Sequence, residues 1–416
     1  IRCAQELDEN GEVRYALRAN CKYEESWILK NGTSVLDWFD YKSFRYAELT
    51  LPEGCVVTDI SFAARHYPFS LAASMKPEYR DDEAMQKVWN LCVNSQKYGV
   101  QEVIQDCMER EKGFYVGDGC YTALANLILT GDDSIVRKLI DDAFRSTFIT
   151  PGMVTCLDCA MMQEIAEYPL MLISLILWHY RVCRDREYLA KNYPGIRALL
   201  DSYRTDYEKD GLLRDLDKWC VVEWPANFRD GYDVDITEGK VCHEPHVALN
   251  AYYIEAIRCT NKIAAILGEE PYRDESELIG AFTDAFYDAE RHLFTDSLHS
   301  SHSSYIGNVL PFAFGLCPDD ECTDNILAWI GERGVTGVSF FGAFPLKYGL
   351  LRRGRRDIVE SMLRDERAWL RMIREGATTT YEGWGRDTKW NTSLFHLTLS
   401  DAAVFLADVN AEAIFE

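Results

Sequence analysis

No apolar run in this sequence is long enough to cross a bilayer. The longest, Tyr168 to Tyr180 (YPLMLISLILWHY), spans thirteen residues where a membrane helix needs about 20, so it reads as a core helix. Positive charge is scarce: 44 Lys and Arg stand against 67 Asp and Glu, a formal net charge of −23. A surface that acidic repels phosphate backbones and anionic lipid, which argues against nucleic acid and membrane partners and disfavours poly-uronate substrates. There is no low-complexity tract, no tight repeat and no HExxH motif. Cysteine is not scarce, but its 14 copies are scattered from Cys3 to Cys322 without the compact framework of a disulfide scaffold. Only Cys156 and Cys159 make a CxxC, and no second CxxC completes a zinc site, so no metal is expected. With no signal-peptide pattern at Ile1, the expectation is a reducing, cytoplasmic setting. The start without Met, in what reads as the middle of a polar hairpin, suggests a piece of a longer polypeptide.

What is present is a large apolar fraction, 47% of 416 residues, enough for one big domain or two. Residues 1–75 have a β-like texture: turn signals at Gly11-Glu12 and Asn31-Gly32, and alternation over Phe44–Thr50 and Val56–Phe62. These strands are too few to close a sheet and read as the end of a β-sandwich. From 76 to 416 the pattern is helical. Apolar residues recur at three- and four-residue steps over 82–96, 120–130, 134–146, 163–183, 186–206, 246–268, 274–290, 323–333, 341–352, 355–364 and 393–407. Helices joined by short Gly-, Pro- and Asp-rich connectors, without strand–helix alternation, predict a mainly α fold of antiparallel hairpins around an axis, an (α/α)6 toroid.

Two segments carry chemistry. Asp106-Cys-Met-Glu-Arg-Glu-Lys-Gly-Phe-Tyr-Val-Gly-Asp118 sets carboxylates, Arg110 and two aromatics between glycines, a composition suited to a loop at a pocket rim. Far downstream, Gly376-Ala-Thr-Thr-Thr-Tyr-Glu-Gly-Trp384 places Glu382 between Tyr381 and Trp384, surroundings that raise its pKa or fix its orientation. Two carboxylates on separate loops facing one cavity are what glycosidic hydrolysis needs. The plain alternative is a Glu382 bonded to loop backbone. High aromatic content, with 10 Trp and 23 Tyr, suits stacking on pyranose faces and equally suits a large helical core.

The run DCMEREKGFYVGD resembles the signature of the α-L-rhamnosidases, glycoside hydrolase family 78. So do Tyr41–Glu48 and Arg65–Pro68 ahead of the helices, the loops Trp219–Asp230 and Gly376–Trp384, and Thr392–His396. The resemblance implies an (α/α)6 barrel flanked by β-domains and inverting hydrolysis without a cofactor. It implies Glu111 as general acid and Glu382 as the base that activates water. Asp106 and Asp118 would bind rhamnose hydroxyls, and Phe114 or Tyr115 would line the pocket for the deoxy-sugar methyl group. Trp219, Trp224 and Trp384 would add walls, and Arg110 and His396 polar contacts. Met108 stands where the family has Pro, and Phe114-Tyr115 where it has Trp, departures that touch the sugar pocket. The partner implied is a rhamnose-containing glycoside or oligosaccharide; a homo-oligomer is compatible with the sequence.

Other residues have plainer readings. His243-Glu-Pro-His246 and His299-Ser-Ser-His302 read as loop or core histidines rather than metal pairs. Arg110 reads as an orienting partner for a neighbouring carboxylate. Glu164 and Glu167 read as helix-surface charges, and Arg352–Arg356 as a solvated connection. The competing functions are another six-hairpin glycosidase, a polysaccharide lyase, or a carbohydrate-binding relative without activity.

Overall fold

The computed structural model describes residues 1–17, 21–37, 40–157, 162–390 and 392–416. Cys159, half of the CxxC, lies outside them. The described residues form fourteen α-helices: α1 (Glu83–Gly99), α2 (Val116–Thr130), α3 (Ser134–Arg145), α4 (Tyr168–Cys183), α5 (Arg186–Asp206), α6 (Val247–Leu267), α7 (Ser276–Phe286), α8 (Tyr305–Ala313), α9 (Asp320–Arg333), α10 (Phe340–Arg352), α11 (Arg356–Leu363), α12 (Trp369–Arg374), α13 (Ala402–Leu406) and α14 (Ala411–Phe415).

Two kinds of helix alternate. The even-numbered helices α2 to α10, with α13, are buried almost throughout; α2 is buried from Val116 to Leu129 and α4 from Tyr168 to His179. They are apolar on every side because they have neighbours on every side. The other odd-numbered helices bury one stripe: α3 hides Ile135, Val136, Leu139, Ile140 and Ala143 and exposes Lys138 and Arg145. Each inner helix packs on the next, α2 on α4, α4 on α6, α6 on α8 and α8 on α10. The ring closes where the 3-10 turn Thr398–Asp401 meets α10 on one side and α2 on the other. The result is the six-hairpin ring that the helical periodicity predicts.

One end of the ring is plugged. Phe415 of α14 sits among Trp178, Phe344, Tyr348 and Phe405, with ring centroids 5.3 to 5.9 Å apart. Trp178 and Tyr348 lie in the C-terminal halves of α4 and α10, and Phe405 is the last but one residue of α13. Within the ring, Lys347 of α10 pairs with Asp401 at 2.9 Å, both side chains wholly buried. At the other end the N-termini of the inner helices gather, and helix N-termini favour negative charge.

Several expected elements differ. Val56–Phe62 forms no strand; the β structure among the described residues here is β1 (Arg2–Ala4) paired antiparallel with β2 (Tyr46–Glu48), with isolated bridges Arg2–Glu24, Ala16–Lys22 and Leu7–Val13, the last across the turn at Gly11. The stretch 393–407 is not one helix. Its first residues are extended because their amides are taken elsewhere: His396 donates to the Thr380 carbonyl (2.9 Å) and Leu397 to that of Asp106 (3.0 Å). The helix expected from 163 starts only at Tyr168, since the Ala166 amide is given to the Trp219 carbonyl. α8, YIGNVLPFA, lies outside the expected helices because an inner helix shows no polar face and hence no period. The continuous hydrophobic core begins at Met75, and Tyr67, Phe69 and Ala73 pack against it. Gln5 accepts the Leu394 amide at 2.8 Å.

Candidate active site

The segment from Asp106 to Asp118 is a loop folded back on its own first residue. Asp106 donates its amide to the Gly113 carbonyl (2.9 Å) and accepts the Gly113 amide on Oδ1 (2.8 Å). Glycine is required at 113, where a Cβ would come within 2.6 Å of the Tyr115 ring. Beyond it, β3 (Phe114–Tyr115) pairs with β4 (Cys156–Leu157) and runs directly into α2, which carries Asp118 in its first turn. Gly117 allows α2 to approach Tyr168, whose ring a Cβ would meet at 2.3 Å, and Tyr168 donates to Asp118 Oδ2 at 2.7 Å.

The C-terminal segment docks on this loop as an extra strand. Met108 donates its amide to the Phe395 carbonyl (3.0 Å), and Cys107 and His396 form an antiparallel bridge. This brings buried His396 to 3.9 Å from Asp118, with its other nitrogen 2.9 Å from the Thr398 hydroxyl. Burial, above all, brings the His396 pKa down to about 4, so the imidazole is neutral at working pH.

Glu382 is 3% exposed and held by four donors. Oε2 accepts from Arg110 (3.3 Å) and the Ser393 amide (2.9 Å); Oε1 accepts from the Trp224 indole (3.2 Å) and pairs with Lys389. Burial pushes its pKa up, but His396, Lys389 and Arg110 outweigh burial and bring it to about 2. Of the two effects expected from its surroundings, orientation holds and a raised pKa does not. Since His396 is uncharged near neutrality, Lys389 and Arg110 are the cations that keep Glu382 ionised there.

The acidic residues across the loop behave in the opposite way. Burial, then the neighbouring Glu111 carboxylate and Asp118, hold Asp106 well above the usual carboxylate range. Burial likewise pushes Asp118 to about 7 against the Tyr168 hydrogen bond. Glu111 is the exposed member, hydrogen-bonded to Asp106. It acts electrostatically on Asp118, Arg110 and His396, as Glu382 also does. One set of neighbours therefore feels both carboxylates. A group kept protonated and a group kept ionised at one place form an acid–base pair.

The remaining residues divide. Trp219 and Trp224 stand edge to face, centroids 6.1 Å apart, on a loop tied down by Glu167 and Glu223. Glu167 is buried and accepts the amides of Val221 (3.1 Å) and Val222 (2.8 Å), so it tethers that loop and is no helix-surface charge. Glu223 accepts the amides of Ser339 (3.0 Å) and Gly342 (3.2 Å) at the start of α10. Tyr115 is half-buried beside Glu111 and Asp106, whereas Phe114 is 2% exposed and belongs to the core. Trp384 is also a core residue: it is 3% exposed, gives its indole N–H to the Val338 carbonyl (2.6 Å) and packs on Trp369. Arg110 serves Glu382, as the orienting reading has it. Lys389 and Tyr168 were not singled out in the sequence; neither sits in a motif, and only the fold brings them here. Asp106, Cys107 and Glu111 offer ligand atoms within 4.8 Å of one another, but the Asp106 carboxyl is already spent on the Gly113 amide and on Glu111. His243, exposed and paired with Asp215 at 2.9 Å, stands apart from the buried His246, so the two do not act as a pair.

An inner ring of helices with ionisable groups collected at its N-terminal mouth is the architecture of the six-hairpin class. Residues 80–409 match the family model of the bacterial alpha-L-rhamnosidase 6 hairpin glycosidase domain, and the chain belongs to that family. Among solved structures it is similar to the Streptomyces avermitilis alpha-L-rhamnosidase complexed with L-rhamnose. That match has a TM-score of 0.72 and 19% identity, over 97% of this chain and 39% of the other. A family 78 rhamnosidase of Bacillus sp. GL1 gives 0.69 and 20%, over 81% and 36%. A Klebsiella oxytoca rhamnosidase with rhamnose bound gives 0.62 and 16%, over 78% and 63%. The chain thus spans between 36% and 63% of the length of these three relatives. No curated protein matches it.

Proposed function

We propose that this chain carries the catalytic ring of an inverting glycoside hydrolase that removes terminal α-L-rhamnosyl residues. The observation that carries the reading is a buried, ionised Glu382 held by four donors that shares its neighbours Asp118, Arg110 and His396 with the exposed Glu111. In the reaction, Glu111 gives a proton to the glycosidic oxygen as the C1–O bond breaks, and the aglycone leaves as an alcohol. Glu382 takes a proton from a water that attacks C1 from the opposite face, so the sugar leaves with inverted configuration. Glu382 then releases its proton to solvent, and Glu111, which is exposed, takes one back from solvent, so the cycle closes. A carboxyl separation of roughly 6.5–9.5 Å is the spacing this mechanism requires.

The walls suit a 6-deoxy sugar. Asp118, Asp106 and His396 supply polar partners for hydroxyls, and Tyr115, Trp219 and Trp224 supply aromatic faces for the methyl group and ring. Rhamnose is the sugar named for two of the related structures. Glu111→Gln and Glu382→Gln, each made in the intact polypeptide and assayed on an aryl α-L-rhamnoside, should each lower kcat by at least about 100-fold. Near-normal turnover in both would remove the mechanism. Binding of rhamnose without turnover by the unaltered protein would favour the carbohydrate-binding alternative instead.

A further inference from the structure

Beneath the Trp219–Trp224 loop lies a cluster that the proposed reaction does not use. Cys220, Cys242 and His246 are all buried, and one ligand atom from each lies within 4.8 Å of the other two. Zinc bonds of roughly 2.0–2.3 Å set tetrahedral donors roughly 3.5–3.8 Å apart. A movement of about 1 Å or less therefore closes the three donors around one ion. They come from different places. Cys220 follows Trp219, Cys242 is bridged through both backbone hydrogen bonds to Leu216, and His246 caps the N-terminus of α6.

Of the two ring nitrogens of His246, Nδ1 is bound and Nε2 is not. The Tyr232 hydroxyl contacts the Asp296 carbonyl (3.2 Å), His246 Nδ1 (2.9 Å) and the Ala248 amide (3.3 Å). The tautomer in which Nδ1–H donates to the hydroxyl oxygen and the hydroxyl proton goes to the Asp296 carbonyl leaves Nε2 with a bare lone pair. Nε2 is completely buried and has no hydrogen-bond partner among the described residues. A buried polar atom without a partner is costly, and a metal ion is the partner that two thiolates and a free imidazole nitrogen suit.

We propose that Cys220, Cys242 and His246 bind a thiophilic divalent cation, zinc, which pins the Trp219–Trp224 loop to the start of α6. The two thiols release their protons as the Zn–S bonds form, His246 binds through Nε2 as the neutral ring, and Tyr232 orients that ring from behind. The fourth tetrahedral position goes to a small ligand such as water.

The test uses the intact protein, purified with reductant, stripped with a chelator, dialysed and titrated with zinc against a chromophoric chelator. One ion per chain is expected. Cobalt(II) at the same site should give a near-ultraviolet thiolate-to-cobalt absorption band in the unaltered protein. Tyr232→Phe should weaken zinc binding by roughly 10–100-fold. Cys220→Ser and Cys242→Ser should abolish the cobalt band, whereas Cys322→Ser, at the separate Cys317–Cys322 thiol pair, should keep it. A Cys220–Cys242 disulfide found by mass spectrometry in reductant-treated protein would overturn the proposal. So would fewer than 0.1 ions bound per chain, or a cobalt band that survives both serine changes. None of these readouts depends on glycosidase activity, so the site stands or falls apart from the proposed reaction.

Discussion

Lys389→Met isolates the electrostatics that keep Glu382 ionised. Its ammonium pairs with Glu382 Oε1, and the two side chains are 12% and 3% exposed, so water screens the pair weakly. A unit charge at about 4 Å in an effective dielectric near 20 contributes about 4 kcal/mol, some 3 pKa units, before the loss of desolvation relief. His396, which charges below about pH 4, Arg110, the Trp224 indole and the Ser393 amide remain, which reduces the net rise to about 1–3 units. Glu382, at about 2 in the unaltered protein, would then titrate between about 3 and 5. The assay is kcat/KM for an aryl α-L-rhamnoside from pH 3.5 to 9. The unaltered enzyme should show no acidic limb above about pH 3.5, and Lys389→Met should gain one with a midpoint near 4. An acidic limb near pH 5 in the unaltered enzyme, or identical acidic limbs in both, would refute the reasoning.

Trp224→Phe keeps an aromatic face but removes the indole N–H from Glu382; one lost hydrogen bond to a charged group predicts a fall in kcat/KM of about 10–100-fold, read by steady-state kinetics. Lys347→Met leaves Asp401 buried and unpaired, and chemical denaturation should show a loss of about 3–5 kcal/mol, largely regained in Lys347→Met/Asp401→Leu. Asp118 has a folded pKa of about 7, above its unfolded value, so the native state binds the extra proton between about pH 4 and 7. Its contribution to stability is complete below that window and is lost as pH rises through 7. Asp118→Asn should accordingly flatten the decline of Tm between pH 4 and 8, and an unchanged slope would contradict the burial argument.

The sequence made the outer ring legible because each outer helix keeps a polar face, as α3 does with Lys138 and Arg145 against Ile135, Leu139 and Ile140. The inner helices were read less well. α8 has nothing to alternate with, and α13 sits at the end of a stretch whose first half is spent as a strand on the Asp106 loop. The site was legible where one segment holds its own residues, from Asp106 to Asp118, and at Glu382, whose aromatic neighbours marked it out. It was not legible where function depends on what a donor reaches across the ring. Lys389 and Tyr168 are unremarkable in sequence, Glu167 reads as a surface charge until its carboxylate meets Val221 and Val222, and Trp384 reads as a pocket wall until its N–H finds Val338. The Cys220–Cys242–His246 cluster was hidden for the same reason, since its spacing matches no local metal motif.

In the proposed reaction a proton-giving Glu111 works opposite a water-activating Glu382. Proton NMR of the first-formed sugar, recorded during hydrolysis of an α-L-rhamnoside before mutarotation, tests it most directly. The β anomer appearing first is the result that direct attack by water predicts. The α anomer appearing first would mean that a covalent sugar–enzyme intermediate had formed, and would contradict the account.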